Sequence, residues 1–232
     1  MKTRARTIAK LPRGVPFENG DRLTQQDFHR LYLQVPDKVK AELIGGEVYM
    51  PSPVRHPHSR YSRLISWLFM NYELATAGVS GGDNSTLILG SRSEPQPDHC
   101  LRLLPEYGGM SRVNEDEYLV GAAELLVEIA HSTVAVDLTR KKDDYSAAGV
   151  QEYLVVCVDE RELRWFHFPS RRKLHGDKHG VWKSRVFPGL WIHEASLFSE
   201  NLPRFEEVAR QGIASPEHSQ FVHELARRRT KA

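Results

Sequence analysis

The chain has only two cysteines, Cys100 and Cys157, in 232 residues. That is too few for the disulfide framework of a small secreted scaffold. Both fall in apolar, strand-like runs and read as reduced core residues, which points to a reducing, cytoplasmic setting. No apolar run approaches the roughly 18 residues a membrane span needs, so no membrane partner is expected. The first residues, MKTRARTIAKLPRG, are basic and lack the apolar core of a signal peptide. Neither sign of charge dominates: 32 Lys+Arg stand against 30 Asp+Glu, for a formal net charge of +2. This balance neither demands nor excludes nucleic acid. There is no GxGxxG after a strand, no GxxxxGK[ST] loop and no GxSxG elbow, which argues against nucleotide-binding and serine-hydrolase readings. Zinc has candidate ligands in His56, His58, His99 and Cys100, but His99 and Cys100 alternate across a strand and do not easily serve one ion.

What is present is an ordinary globular composition, 40% hydrophobic and 27% charged. The length suits one domain with appendages. The expected organisation is a flexible basic arm over 1–20, a single domain over 21–200, and a C-terminal helix with a charged tail over 201–232. LTQQDFHRLYLQV has helical spacing with Thr24 as N-cap. KAELIGGEVYMPS predicts a hairpin turning at Gly45-Gly46, and HSRYSRLISWLFMNYELATAG a long helix ending near Gly78. STLILG and DHCLRLLP predict strands, and residues 106–121 a polar connection. A strand over about 124–130 then leads into a helix capped by Ser132 or Thr133. QEYLVVCVDERELRWFHF predicts a second hairpin. The order implies an α/β fold with a mixed central sheet flanked by helices and an N-terminal hairpin. The basic clusters Arg171–Lys173 and Arg227–Lys231 read first as a solvated hairpin tip and a tail, and second as phosphate contacts.

ELLVEIAHST raises a specific problem. Glu128 lies between Val127 and Ile129, where an unpartnered carboxylate loses several kcal/mol of solvation. A cation, a metal or an edge position must compensate. Alternation puts Glu128 on one strand face with Leu126 and Ala130. A second carboxylate, Asp98, follows Pro97 at the start of another strand. Two carboxylates at neighbouring strand ends suit Mg²⁺, although on spacing alone the plainer reading is that Glu128 pairs with an arginine and Asp98 caps a turn. Asp137, Lys141 and Tyr145 recur at intervals of four on the next helix, so Lys141 could reach the pair or simply bridge to Asp137. Lys142 lies about 100° around the helix and should be solvated.

In order and spacing, AELIGGEVYMPSP, His58, QPD, LLVEIAHST, DLTRKKDDY and GVQEYLVV resemble the PD-(D/E)XK nuclease superfamily, and more closely the Uma-two type of restriction endonuclease. The resemblance implies a restriction-endonuclease-like fold and Mg²⁺-dependent hydrolysis of DNA, with Mn²⁺ able to substitute. Asp98 and Glu128 would be metal ligands, with the carbonyl of Ile129 as a third. The superfamily places lysine two residues after the glutamate, where this chain has Ala130. The Uma-two type appears with its lysine on the following helix, matching Lys141. Glu42 and Glu47, on one face of the hairpin, would be auxiliary acids, and His58 a phosphate or water contact. Glu47 as a solvent-facing turn residue and His58 as helix-end packing are the plain alternatives. A homodimer suits the cutting of two antiparallel strands. The competing functional reading is a catalytically silent nuclease-like fold serving as a nucleic-acid-binding or interaction module.

Overall fold

The computed structural model describes residues 14–36, 39–131 and 133–229. Helix α1 (Gln25–Tyr32) begins at Thr24, whose hydroxyl accepts the Asp27 N–H. Strands β1 (Glu42–Ile44) and β2 (Glu47–Tyr49) form the hairpin, pairing Glu42 with Tyr49 and Ile44 with Glu47. Gly45 and Gly46 have φ of 60° and 87°, the positive values that a tight two-residue hairpin turn requires at both positions. The long helix α2 (His56–Ala75) buries Leu64, Ile65 and Leu68. Strand β3 (Val79–Asp83) follows, then β4 (Leu87–Ile88) and β5 (His99–Leu103). Short strands β6 (Arg112–Val113) and β7 (Leu119–Val120) precede β8 (Leu125–Ala130). A single turn, α3 (Val134–Val136), runs through a π-helical stretch, Asp137–Lys141, into α4 (Lys142–Ala147). Strands β9 (Glu152–Cys157), β10 (Glu162–His167) and β11 (Arg172–Lys173) complete the main sheet. Strands β12 (Val181–Lys183) and β13 (Trp191–His193) pair separately. Helices α5 (Glu194–Phe198), α6 (Leu202–Ile213) and α7 (Pro216–Arg229) close the described chain.

The central sheet has six strands in the order β11-β10-β9-β8-β5-β3. Only β8 and β9 are parallel within it, joined by the crossover through α3 and α4. Both strands are buried along their whole length, as expected where helices cover both sheet faces. One face carries Val127, Ile129, Leu154, Val156 and Trp165 beneath α2 and the C-terminal helices. The other carries Leu126, Ala130, Tyr153 and Val155 beneath Tyr145 of α4. Glu128 projects from this second face. A third cluster joins Phe17, Phe28, Leu43 and Val48 around the hairpin.

Several expectations need correction. Part of the supposed loose arm is packed: Phe17 is 2% exposed, while residues 1–13 lie outside the described ones. Strand β3 was not anticipated, because its Gly81-Gly82 pair hides the alternation that marks a strand. The connection over 106–121 contains β6 and β7, which form a small sheet with β4. The charged tail is helix α7 up to Arg229, with Phe221 and Leu225 in the main core. Of the two proposed caps, Ser132 lies outside the described residues, and Thr133 occupies the cap position without a capping bond.

Glu152, a polar residue near the helix–strand junction, serves the fold. It is fully buried and accepts hydrogen bonds from Ser184 Oγ at 2.7 Å, the Arg185 N–H at 2.7 Å and Trp165 Nε1 at 3.2 Å. Removing the carboxylate strands these donors, and each buried unsatisfied group costs about 1–3 kcal/mol. Glu152→Ala should therefore lower stability by about 3 kcal/mol, read as a shift in urea midpoint at unchanged slope.

Candidate active site

The site forms where the hairpin, the ends of β5 and β8, and the crossover segment meet. Asp98 lies one residue before β5, not within it. Its Oδ2 accepts the Ile129 N–H at 2.7 Å and lies 3.0 Å from His58 Nε2. The first of these bonds ties the Asp98 loop to β8 where regular pairing with β5 has stopped; the last paired residues are His99 and Val127. The second uses His58, in the first turn of α2. Burial favours the neutral acid, but the His58 contact, the Ile129 N–H and the Lys141 charge outweigh it. Together they hold the Asp98 carboxyl below its ordinary range.

Glu128 is 4% exposed. Its Oε1 accepts from Lys141 Nζ at 3.0 Å and from the Tyr145 hydroxyl at 2.8 Å. Lys141, 7% exposed, also meets Glu42 Oε2 at 3.0 Å and lies 4.0 Å from Asp137 Oδ1. The π-helical turn carries both Asp137 and Lys141 inward, so the interval of four keeps them on the buried side even though the helix is locally widened. Asp137 accepts from the Thr133 hydroxyl at 2.5 Å. Glu42 is held in turn by the Gln96 N–H at 2.7 Å.

Burial pushes Glu128 well above the carboxylate range, against the pull of Lys141. Burial pushes Asp137 up to about 6, again opposed by Lys141. Burial would also strip the proton from Lys141, but Glu128, then Glu42 and Asp137, reverse that and keep the ammonium charged.

The structure thus brings Glu42, Asp98, Glu128 and Lys141 together, with His58 on Asp98. Glu47 does not join them. It shares the hairpin face with Glu42, but its Oε1 is 2.6 Å from Arg140 Nη1, and Arg140 also bonds the Tyr49 hydroxyl. Lys142 is half-buried, 3.5 Å from Asp143 and above the Phe166 ring. The residues not anticipated at the site are Gln96 and Arg140. Neither carries a sequence signal, since one acts through its backbone and the other through a cross-element ion pair.

The zinc candidates are dispersed into other contacts: His99 bonds Asp83 at 2.8 Å and Ser62 at 3.0 Å. Among the described residues, no group of three or more His, Cys, Asp or Glu side chains is arranged to hold a metal ion. Two carboxylates with a carbonyl remain compatible with a hard cation. Glu128 engages the protein through Oε1 and Asp98 through Oδ2, which leaves Oε2 and Oδ1 without a protein hydrogen bond among the described residues. Because Ile129 directs its N–H toward Asp98, its carbonyl turns to the same side of the strand.

Lys141→Ala would leave three acidic side chains facing one another without their shared cation. Breaking a buried pair by removing one partner costs about 3–5 kcal/mol. In the variant, burial and mutual repulsion, no longer opposed by Lys141, raise the folded-state pKa values of Glu128 and Asp137 further. Its stability should then fall as pH rises above the unfolded carboxylate range, near 4. Urea unfolding at pH 5 and pH 8 should show the larger deficit at pH 8.

The chain and its fold have counterparts among known proteins. A family described as "Putative restriction endonuclease" (Uma2) matches residues 25–196. A solved structure described as a "putative nuclease belonging to DUF820", from Anabaena variabilis, superposes with a TM-score of 0.58 at 14% identity. The superposition covers 73% of this chain and 96% of that one, and at this identity it speaks for the fold. No curated protein matches the chain. No helix among the described residues is long and apolar enough to cross a membrane. With a restriction-endonuclease-like fold and a family match over most of its length, the chain belongs to the Uma2 family of restriction-endonuclease-like nucleases.

Proposed function

We propose that the chain hydrolyses DNA phosphodiester bonds with a divalent cation, Mg²⁺ or in its place Mn²⁺, held by Asp98, Glu128 and the carbonyl of Ile129. The observation that carries this reading is the Lys141 ammonium, 3.0 Å from Glu128 and electrostatically felt by Asp98. Mg²⁺ takes one or two carboxylates with water and phosphate oxygens, and when bound it supplies a more acidic water and a polarised phosphodiester.

The remaining work falls to the side chains. The Ile129 N–H and His58 orient Asp98 so that Oδ1 is presented. Lys141 and Tyr145 orient Glu128 so that Oε2 is presented. Lys141, kept protonated, positions the attacking water and offers positive charge to the anion that develops at phosphorus. Glu42, an auxiliary acid, holds that ammonium from the hairpin side. Glu47, the second auxiliary acid, acts one step further out by fixing Arg140. The buried Nδ1 of His58 has no partner among the described residues and suits a water or phosphate contact. Cutting both strands of a duplex calls for two such centres, which a two-fold homodimer would supply.

The test is nicking of supercoiled plasmid in EDTA, Mg²⁺ and Mn²⁺. Asp98→Asn and Glu128→Gln should each lower metal-dependent nicking by about 100-fold or more. Both should also weaken Mn²⁺ binding in calorimetry while the circular dichroism spectrum is retained. Unchanged Mn²⁺ affinity in both variants would remove the site. A folded wild-type protein that binds DNA but nicks nothing would favour the silent binding module.

A further inference from the structure

The catalytic reading leaves the solvent side of α2 unexplained. Between Glu47 and Glu73 the sequence has no acidic residue, yet it has Arg55, Arg60 and Arg63. Arg60 is taken by Glu200, 2.7 Å away. Arg55 and Arg63 are exposed, and among the described residues neither has a carboxylate within 4.0 Å. The other carboxylates beside the helix are engaged too. Asp83 accepts from Ser66 Oγ at 2.5 Å and lies 2.8 Å from His99 Nδ1, and Glu73 accepts the Gly81 N–H at 2.8 Å.

The two arginines stand on a rigid support. Helix α2 buries Tyr61, Leu64, Ile65 and Leu68 in the main core. The segment leading into it, residues 51–57, is exposed throughout. Pro51, Pro53 and Pro57 lock φ there, so Arg55 loses less chain freedom on docking. Exposed cations at fixed positions, with no acid to answer them, create a positive field that draws an anion from outside.

Position selects the anion. Helix α2 covers the sheet face opposite Glu128, but its first turn reaches the strand end where the centre forms. There His58 Nε2 lies 3.0 Å from Asp98 Oδ2, which also accepts the Ile129 N–H at 2.7 Å. Arg55 precedes His58 by three residues and Arg63 follows it by five. At a rise of about 1.5 Å per residue they bracket His58 over about 12 Å of helix. At about 100° per residue they fall within about 80° of each other around the axis, on one side. Phosphates follow one another by about 3.4 Å along a DNA strand, so the bracket spans about three or four of them.

We infer that Arg55 and Arg63 form a phosphate-backbone grip, which holds a DNA strand beside the bond presented to Asp98 and Glu128; it rests on the nuclease reading of that centre. A phosphodiester brought to Asp98 carries its neighbouring phosphates past both arginines. An acidic protein has the same sign of charge, but it gives no reason for the unpaired cations to flank the one turn of α2 that touches Asp98.

The test is fluorescence anisotropy of a labelled duplex of about 20 base pairs with the full chain in EDTA, at salt from about 0.05 to 0.3 M. Arg55→Ala/Arg63→Ala replaces two exposed side chains and should keep the wild-type circular dichroism spectrum. Arg172→Ala/Arg185→Ala removes two other exposed arginines, around β11 at the far edge of the sheet, and serves as control. The α2 variant should bind about 10-fold more weakly near 0.1 M salt, and its log–log salt slope should shrink by about 2, with the control unchanged. Arg55→Lys/Arg63→Lys should restore most of the slope, since a point charge suffices for a phosphate. Equal losses in the α2 variant and the control, no loss in the α2 variant, or no duplex binding by wild type would overturn the inference. So would α2-dependent binding to polyglutamate with duplex binding intact. Plasmid nicking by the same proteins separates the two claims. Duplex binding that depends on Arg55 and Arg63, without nicking in any metal, sinks the nuclease reading alone. Nicking lost in Glu128→Gln, with an unaltered salt slope in the α2 variant, sinks the grip alone.

Discussion

A buried ammonium and the buried carboxylates around it are each untenable alone, and at Lys141 that mutual need ties three separate parts of the chain. The hairpin supplies Glu42, the central strand β8 supplies Glu128, and the crossover supplies Lys141 with Asp137. Each carboxylate loses hydration on burial, and each recovers part of that loss from one shared charge. The consequence is geometric as much as energetic. The hairpin, which has its own small core around Phe28 and Leu43, is locked in position against the sheet by a contact that cannot slide without exposing a bare charge. The π-helical turn belongs to the same constraint, since it places Asp137 and Lys141 together on the inward side.

The same polarity organises the sheet. Its α2 face is packed with aliphatic and aromatic side chains, while the opposite face mixes small residues, tyrosines and Glu128. Ala130, fully buried, leaves this second face without another long side chain beside Glu128, in keeping with a lysine that arrives from the helix. Asp98 reaches the centre by a different route: β5 stops pairing with β8 at His99 and Val127, and the freed Ile129 N–H takes the Asp98 carboxylate as its acceptor. Loss of regular pairing at a strand end thus becomes the device that sets two carboxylates side by side. Glu152 shows the contrasting case, a buried carboxylate fully consumed by donors of the fold.

Much of this was legible in the amino-acid order because its causes are local. Gly45-Gly46 dictates the hairpin and hence the partner of Glu42. Alternation in LLVEIA assigns Glu128 to one face, and spacing by four gathers Asp137, Lys141 and Tyr145. These follow from backbone periods that hold wherever the segment ends up. What failed were local signals with weak or misleading causes. Glycines concealed β3, short strands hid in a polar connection, and a charged sequence concealed the apolar stripe of α7.

The sequence by itself determined which residues could not be buried without partners, and it marked Lys141 as within reach of one of them. Only the tertiary structure decided who the partners are. Glu42 and Glu47 are equivalent on the hairpin, yet one meets Lys141 and the other Arg140. Glu128 and Glu152 are both buried in central strands, yet one meets the Lys141 ammonium and the Tyr145 hydroxyl and the other a set of donors from the fold. The physical reason is that desolvation is a property of the residue, while compensation depends on charges brought close by distant parts of the chain.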